Sequence, residues 1–364
     1  MIKTNKWTMA LAAAGVVTLS SSAQAQEAVA PAEVESASIE LSGYVATAYA
    51  MGSHPASGGG NTFNSGSGST DKFRMDIVSL TLSKPMAADG TSGFNLGMWI
   101  GPEASDLGTH DDADEPGSSG GTLELMEANI NMMVDVGTGL NLTAGLWGTV
   151  VGYEVYDYSA NAFYERGWGF AVEPTHHVGV KADYQLNDNI GLTFGVANDY
   201  DGFATNATND AGSVGYLGAI SYAPSEGTFL GDNGFGVYVG TVLGMGADSD
   251  ETDYYYAAVN LPIPVEGLSV DLAADWVDDD SDADAEIYQV YAFYELSETV
   301  TLMGRYEFGD DDITTSKSDI SSYAIGVDYA LWDGVQTRLE YMTSDWEGAS
   351  ADEESITLSL VYSF

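Results

Sequence analysis

Between Ile39 and Phe364, apolar side chains alternate with small or polar ones in segment after segment. This period of two assigns the two faces of a β-strand. Phe94, Leu96, Met98 and Ile100 oppose Asn95, Gly97 and Trp99, and Ile190, Leu192, Phe194 and Val196 oppose Gly191, Thr193 and Gly195. Leu268, Val270, Leu272 and Trp276 oppose Ser269, Asp271 and Asp275. Val300, Leu302, Tyr306 and Phe308 oppose Thr301, Arg305 and Glu307, and Val335, Leu339 and Tyr341 oppose Gln336, Arg338 and Glu340. The sequence ends on Ile356, Leu358, Leu360, Tyr362 and Phe364, an apolar face finishing on an aromatic ring. One segment breaks the rhythm: Phe73 to Ser83 changes parity near Ile77 and Val78, as a β-bulge would make it do.

The breaks between segments are of two kinds that take turns. Short ones, rich in Gly, Asn, Asp or Pro, lie near Pro85 to Ser92, Asp135 to Gly139, Asn187 to Asn189, Pro224 to Gly234, Pro262 to Gly267, Ser297 to Thr299 and Leu331 to Gly334. Long, acidic ones lie near Gly52 to Asp71, Gly101 to Gly121, Tyr153 to Glu173, Tyr200 to Gly212, Ala247 to Thr252, Asp278 to Asp284, Gly309 to Asp319 and Trp346 to Glu354. This predicts an all-β fold of about sixteen antiparallel strands, with fourteen or eighteen as alternatives, and both ends on the short-turn side. The strand pattern suits a soluble sandwich as well as a transmembrane barrel, because either buries one face of each strand. In a membrane barrel the apolar faces meet lipid. An Arg or Lys there costs about 2–4 kcal/mol near midplane, so the charged faces line an aqueous interior.

The start of the chain favours the barrel. Lys3 and Lys6, an apolar run from about Met9 to Leu19, and Ala23-Gln24-Ala25 make the three parts of a secretory signal peptide cleaved after Ala25. Residues 1–25 then form the leader, 26–38 an Ala- and Glu-rich flexible periplasmic lead, and 39–364 one transmembrane β-barrel. No stretch approaches the roughly eighteen uninterrupted apolar residues of a membrane-spanning helix, although the chain is 45% hydrophobic. The absence of Cys excludes a lipid anchor at the cleavage point and any disulfide. The 43 Gly and 22 Tyr against 9 Pro suit curved strands with aromatic girdles. Tyr362 and Phe364 resemble the terminal signal read by the outer-membrane barrel insertion machinery, so the expected location is the bacterial outer membrane.

Several phrases resemble one family. Gly43-Tyr44-Val45, then Ser79-Leu80-Thr81-Leu82-Ser83-Lys84-Pro85 followed by Gly93-Phe94, are similar to the opening strands of the OmpL-like β-barrel porin family, β-barrel porin-2. Its best-kept block resembles Gly145-Leu146-Trp147-Gly148-Thr149-Val150-Val151-Gly152-Tyr153-Glu154, then Asn161, then Pro174-Thr175-His176-His177-Val178-Gly179-Val180. The resemblance runs roughly from Gly43 to Asp201. It departs where Leu146-Trp147 stands at a place often basic in the family. What it implies is an outer-membrane pore for small hydrophilic solutes, with no catalytic residues to carry over. About sixteen strands enclose an aqueous channel, which fits general diffusion. A channel selective for a sugar or nucleoside and a plugged structural or adhesive barrel are the alternatives.

Charge sharpens this expectation. Ten Lys and Arg face 55 Asp and Glu, which makes nucleic acid an implausible partner. Acidic clusters at Asp111, Asp112, Asp114 and Glu115, at Asp278, Asp279, Asp280, Asp282 and Asp284, at Asp310, Asp311 and Asp312, and at Asp352, Glu353 and Glu354 fall in the long connections. Such a mouth concentrates cations and repels anions over about 8 Å at physiological salt, so a weak cation preference is expected. The clusters suit bridging of loops to one another or to lipopolysaccharide by loosely held Ca²⁺. No cofactor is otherwise expected. Asp278 does not open an EF-hand, because Ala283 and Gln289 stand where Gly and Glu are required. Adjacent His176 and His177 point to opposite strand faces, and no set of residues marks a metal site or an enzyme.

The connection from Tyr153 to Glu173 differs from the others in being aromatic, with Tyr156, Tyr158, Phe163, Tyr164, Trp168 and Phe170. Those rings call for a packed setting, and the lumen provides one. Folded inward, Glu154, Asp157, Glu165 and Arg166 would narrow the passage, faced by Lys181, Asp183, Arg305, Glu307, Arg338 and Glu340 from the wall. The expected partners are outer-membrane lipid, lipopolysaccharide, the insertion machinery and small solutes. Homotrimers are common among barrels of this size, although the sequence exposes no interface.

Overall fold

A computed structural model of the chain describes residues 38–53, 72–86, 92–104, 123–198, 214–245, 251–280, 283–313, 319–346 and 353–364. Sixteen strands follow one another among the described residues. The first eight are β1 (Glu40–Ser53), β2 (Lys72–Lys84), β3 (Gly93–Ile100), β4 (Leu123–Val134), β5 (Leu140–Gly148), β6 (His176–Asn187), β7 (Ile190–Asn198) and β8 (Val214–Tyr222). The others are β9 (Gly236–Met245), β10 (Thr252–Asn260), β11 (Leu268–Asp279), β12 (Ala285–Ser297), β13 (Val300–Asp311), β14 (Asp319–Trp332), β15 (Val335–Trp346) and β16 (Glu353–Ser363). Each pairs antiparallel with its neighbours in sequence, and β1 pairs with β16 to close the wall. The closed ladder leaves no strand edge, so the backbone donors and acceptors are satisfied within the sheet where lipid offers no partner.

Two short helical turns interrupt the pattern: α1 (Trp168–Ala171), between β5 and β6, and α2 (Phe229–Asp232), between β8 and β9. Thr228 caps α2 by accepting from the Gly231 N–H at 3.1 Å.

The faces follow the alternation. Phe194, Val196, Leu302, Tyr306, Phe308, Leu339, Ile356, Leu358, Leu360 and Tyr362 are exposed on the outside, while Asp271, Asp275, Thr301, Arg305, Glu307, Arg338 and Glu340 are buried within. The parity change in β2 is a bulge. Ala46 faces Ile77 but Thr47 faces Met75, which leaves Asp76 unpaired and turns both Asp76 and Ile77 inward.

Two expectations are corrected. Strands β11 and β13 run on through Asp278, Asp279, Asp310 and Asp311, so these acids sit on strand ends, with the connections beginning at Asp280 and Asp312. The ladder continues because Asp279 and Asp311 still pair, with Thr252 and Ala285. The inner faces are also not uniformly wet. Leu217, Tyr238, Val242, Tyr256, Tyr291, Phe293, Met303 and Met342 form an apolar cluster inside the barrel, and side chains of the connection between β5 and β6 pack into it.

Candidate functional site

Residues 149–175 leave the top of β5, cross the lumen and return to β6. Gly152 sits at φ 103°, where L side chains are strained, and a Cβ there would run into the Glu173 carboxylate. The apolar and aromatic side chains of the segment take three seats. Val150, Val151, Tyr153 and Phe163 join the cluster on β8–β15. Tyr158, Tyr164 and Phe170 pack with Tyr44, Ile77, Trp99 and Met126. Trp168 and Val172 meet Val277, Ile287 and Ile320. Each such side chain contributes about 1.5–3 kcal/mol on burial, so the seating is driven by the hydrophobic effect.

A buried segment with little regular structure has backbone groups to satisfy, and the wall provides side chains for them. Arg305 Nη1 donates to Glu154 Oε1 at 2.6 Å and to the Glu165 carbonyl at 3.0 Å, and its Nε lies 3.2 Å from Glu307 Oε2. Glu307 accepts from the Gly169 N–H at 3.2 Å, and its carboxylate packs so closely on Gly167 that a Cβ there would run into it. Glu154 accepts from the Gly167 N–H at 2.6 Å. Arg338 donates to the Tyr158 carbonyl at 3.1 Å and the Asn161 carbonyl at 2.8 Å. Glu340 accepts from the Tyr164 and Glu165 N–H groups at 2.5 and 3.1 Å. The bulged Asp76 accepts from the Tyr164 hydroxyl at 2.5 Å, and Thr357 donates to Glu165 at 2.8 Å.

Arg166 braces the segment from within. It donates to the Val155 and Tyr156 carbonyls and lies 4.2 Å over the Tyr158 ring. Asp157 accepts from the Ser159 N–H at 2.7 Å and the Ser159 hydroxyl at 2.6 Å, while burial raises its carboxyl above the ordinary value. Burial pushes the Glu173 carboxyl well above its usual range, and the neighbouring Asp275 pushes it further.

The ten charged residues expected at a constriction thus divide. Arg305, Glu307, Arg338 and Glu340 do not face the segment across open space; they hold it, together with Glu154 and Glu165, because its buried peptide groups require partners. Lys181 and Asp183 lie on the opposite wall, 3.9 Å apart, and face a cavity of about 430 Å³ that separates the segment from β3–β6. Carboxylates from Glu127, Glu154, Asp157, Glu173 and Asp183 line that cavity, against Lys181. Sequence reasoning missed Glu127, Asn95, Asn129, Asn131, Asn141 and Thr143, although inward parity on β3, β4 and β5 places them there. It missed the holding role of Asp76, of Thr357 and of Asp271, which accepts from the Tyr153 hydroxyl at 2.6 Å, because pairs so distant in sequence leave no local signal.

His176 is a further correction. Alternation would turn one histidine outward, yet both rings are buried, His176 against Tyr156 at 4.4 Å and His177 against Trp147 at 5.3 Å between centroids. Tyr156 of the inward segment draws the first residue of β6 inside.

Of the acidic mouth, Asp278, Asp280 and Asp310 are exposed, Asp279 and Asp312 are half-buried and Asp311 is buried. Asp111, Asp112, Asp114, Glu115, Asp282 and Asp352 lie outside the described residues, as does the side chain of Glu353. Among the described residues no group of acids or histidines is arranged to hold a metal ion.

A family model described as "Putative beta-barrel porin-2, OmpL-like" matches residues 38–364, well past the stretch ending at Asp201 where the sequence resemblance was legible. No curated protein matches. Among solved structures, OmpF of Salmonella typhi in complex with daunomycin superposes with a TM-score of 0.63 at 10% identity, covering 90% of this chain and 98% of that one. The anion-selective porin of Comamonas acidovorans gives 0.59 at 14% identity, covering 90% and 100%. OmpT of Vibrio cholerae, in its trimer form, gives 0.58 at 10% identity, covering 91% and 100%. At these identities the likeness is one of fold.

Proposed function

The chain belongs to the OmpL-like β-barrel porin family of outer-membrane channels, and from that premise we propose that it is a passive diffusion pore for small hydrophilic solutes and ions, narrowed by residues 149–175 and weakly cation-preferring. The observation that carries this reading is the charge lining the cavity beside the segment. Of the five carboxyls there, burial favours the protonated form of Glu173 and Arg305 neutralises Glu154 from behind, which leaves Glu127, Asp157 and Asp183 against one lysine. A cation entering finds a favourable potential that low-dielectric walls strengthen, and an anion finds a barrier. The exposed acids Asp278, Asp280 and Asp310 at the same end of the barrel add to the field. The fold does not decide the sign, since an anion-selective porin shares it. Reversal potential in a KCl gradient across a planar bilayer tests the reading. A potential of cation-selective sign is expected, and anion selectivity overturns it.

The assembly we infer is a homotrimer, in line with the trimer form of OmpT, and cross-linking in native membranes would test it. Residues 1–25 act as an export leader in this reading, Tyr362 and Phe364 as the insertion signal, and the exposed apolar belt meets lipid and lipopolysaccharide.

A further inference from the structure

The wall opposite the inward segment is chemically unlike the rest of the lumen. On β3, β4 and β5, inward positions carry Asn95, Asn129, Asn131, Asn141 and Thr143, all lining the same cavity. Strand register sets them in a lattice: Asn95 lies directly opposite Asn129, Asn131 opposite Thr143, and Asn141 opposite Asp183. The side chains are fixed by one another. Asn129 Oδ1 accepts from Asn95 at 3.4 Å and from Asn131 at 3.1 Å, and its amide donates to the Leu146 carbonyl at 2.9 Å. Thr143 donates to Asn131 Oδ1 at 2.8 Å.

A primary amide has two N–H donors and an oxygen with two lone pairs. Asn95, Asn129 and Asn131 each spend one N–H in this lattice, so each keeps a donor, and Asn95 keeps its oxygen. These groups are held in place before any solute arrives, which spares a ligand the cost of ordering them. The segment contributes the Tyr156 ring to the same cavity, steadied by its hydroxyl bond to Glu127 at 3.1 Å, by edge contact with Trp99 and by the His176 ring at 4.4 Å. Fixed amides and an aromatic ring in one cavity match a solute with hydroxyls around its rim and C–H groups on its face. Its charge follows from the same cavity. An anion meets the lining carboxylates, and Lys181 is already paired with Asp183. At about 430 Å³ the space lies within the range of small-molecule sites, roughly 300–1,000 Å³.

We propose that the β3–β5 amide lattice and Tyr156 form a binding subsite for an uncharged saccharide of one or two rings, on the path of permeation. The proposal rests on the pore reading above and adds to it a substrate class. The test uses the full-length mature chain in planar bilayers, with maltose as probe, uridine as a second solute, and poly(ethylene glycol) of the same hydrodynamic size as a control for obstruction. Maltose is expected to reduce the ion current saturably, and the polymer only in proportion to its concentration. Asn131→Ala combined with Asn95→Ala is expected to raise the half-saturating maltose concentration at least tenfold while leaving the open conductance near wild type. That conductance also reports that the variant is folded. Tyr156→Leu is expected to raise that half-saturating concentration as well, without touching the lattice. A current that maltose and the polymer reduce alike, or a saturable block by uridine alone, overturns the saccharide subsite and leaves the pore standing. A folded protein that carries no current at all overturns both.

Discussion

Arg305 is the most exacting point at which to perturb the inward segment. It is the buried cation between Glu154, which belongs to the segment, and Glu307, which belongs to the wall, and it also bonds the Glu165 carbonyl. Replacing it by Met keeps the volume beside Phe163 and Met342 but leaves two carboxylates buried without their counter-charge. Breaking a buried ion pair from one side costs about 3–5 kcal/mol. The sixteen-strand ladder does not depend on this contact, so the cost falls on docking of the segment. At about 1.4 kcal/mol per decade, the undocked population rises by roughly two to three and a half orders of magnitude. Arg166 makes that population visible. It is 1% exposed in the docked segment and offers trypsin a bond to Gly167 only when the segment leaves the lumen. Where opening is fast relative to cleavage, the cutting rate follows the open population. Purified Arg305→Met in detergent is therefore expected to be cut after Arg166 at least about a hundredfold faster than wild type, with higher and noisier conductance. Adding Glu154→Gln and Glu307→Gln should largely reverse the effect, because removing the whole charge set is far less costly than orphaning part of it. An unchanged cutting rate in a barrel that still shows folded, heat-modifiable migration would refute the account of how the segment is held.

Three further outcomes are expected. Because burial and Asp275 raise the Glu173 carboxyl, its contribution to docking is full below the ordinary carboxylate value of about 4.3 and is lost as pH rises through the raised value. Conductance noise should therefore grow with pH, and Glu173→Gln should flatten that dependence. Neutralising Glu127 and Asp183 together, as Gln and Asn, should shift the KCl reversal potential toward zero, and Lys181→Glu should move it the other way. Phe364 exchanges backbone bonds with Gly43 at 3.1 and 2.9 Å, which Phe364→Ala retains. Outer-membrane levels of that variant should fall in cells while refolding of the purified chain into detergent stays near wild type.

The wall was legible in the sequence because lipid imposes a rule on every second residue. Leu302, Tyr306 and Phe308 had to face out, and Thr301, Arg305 and Glu307 had to face in. Even the bulge at Asp76 announced itself, since an extra residue shifts parity for all that follow. The inward course of residues 149–175 was readable from its rings. Where those rings and charges settle was not, because Glu154 meets Arg305 across 151 positions and Glu165 meets Thr357 across 192. Periodicity holds no information about pairs that distant. The asparagine lattice escaped for another reason: alternation reports only that Asn95, Asn129 and Asn141 face inward, and three separate strands must be set in register before they become neighbours. The acidic strand ends were misread as loops because Asp is rare in strands, yet the ladder carries Asp279 and Asp311 through.

The inward segment precedes most of what it grips. Arg305, Arg338, Glu340 and Thr357 stand on β13, β15 and β16, whereas Asp76 and Glu127 stand on β2 and β4, so an assembling barrel that has placed only one of these flanks holds the segment by half. Until both flanks of the wall are in place, its rings have only part of their seat and the interior stands wider than in the finished barrel. Insertion and sealing are then separate events, with sealing second. A cell making this protein must tolerate, or shorten, a brief interval in which each new copy is a hole before it is a filter.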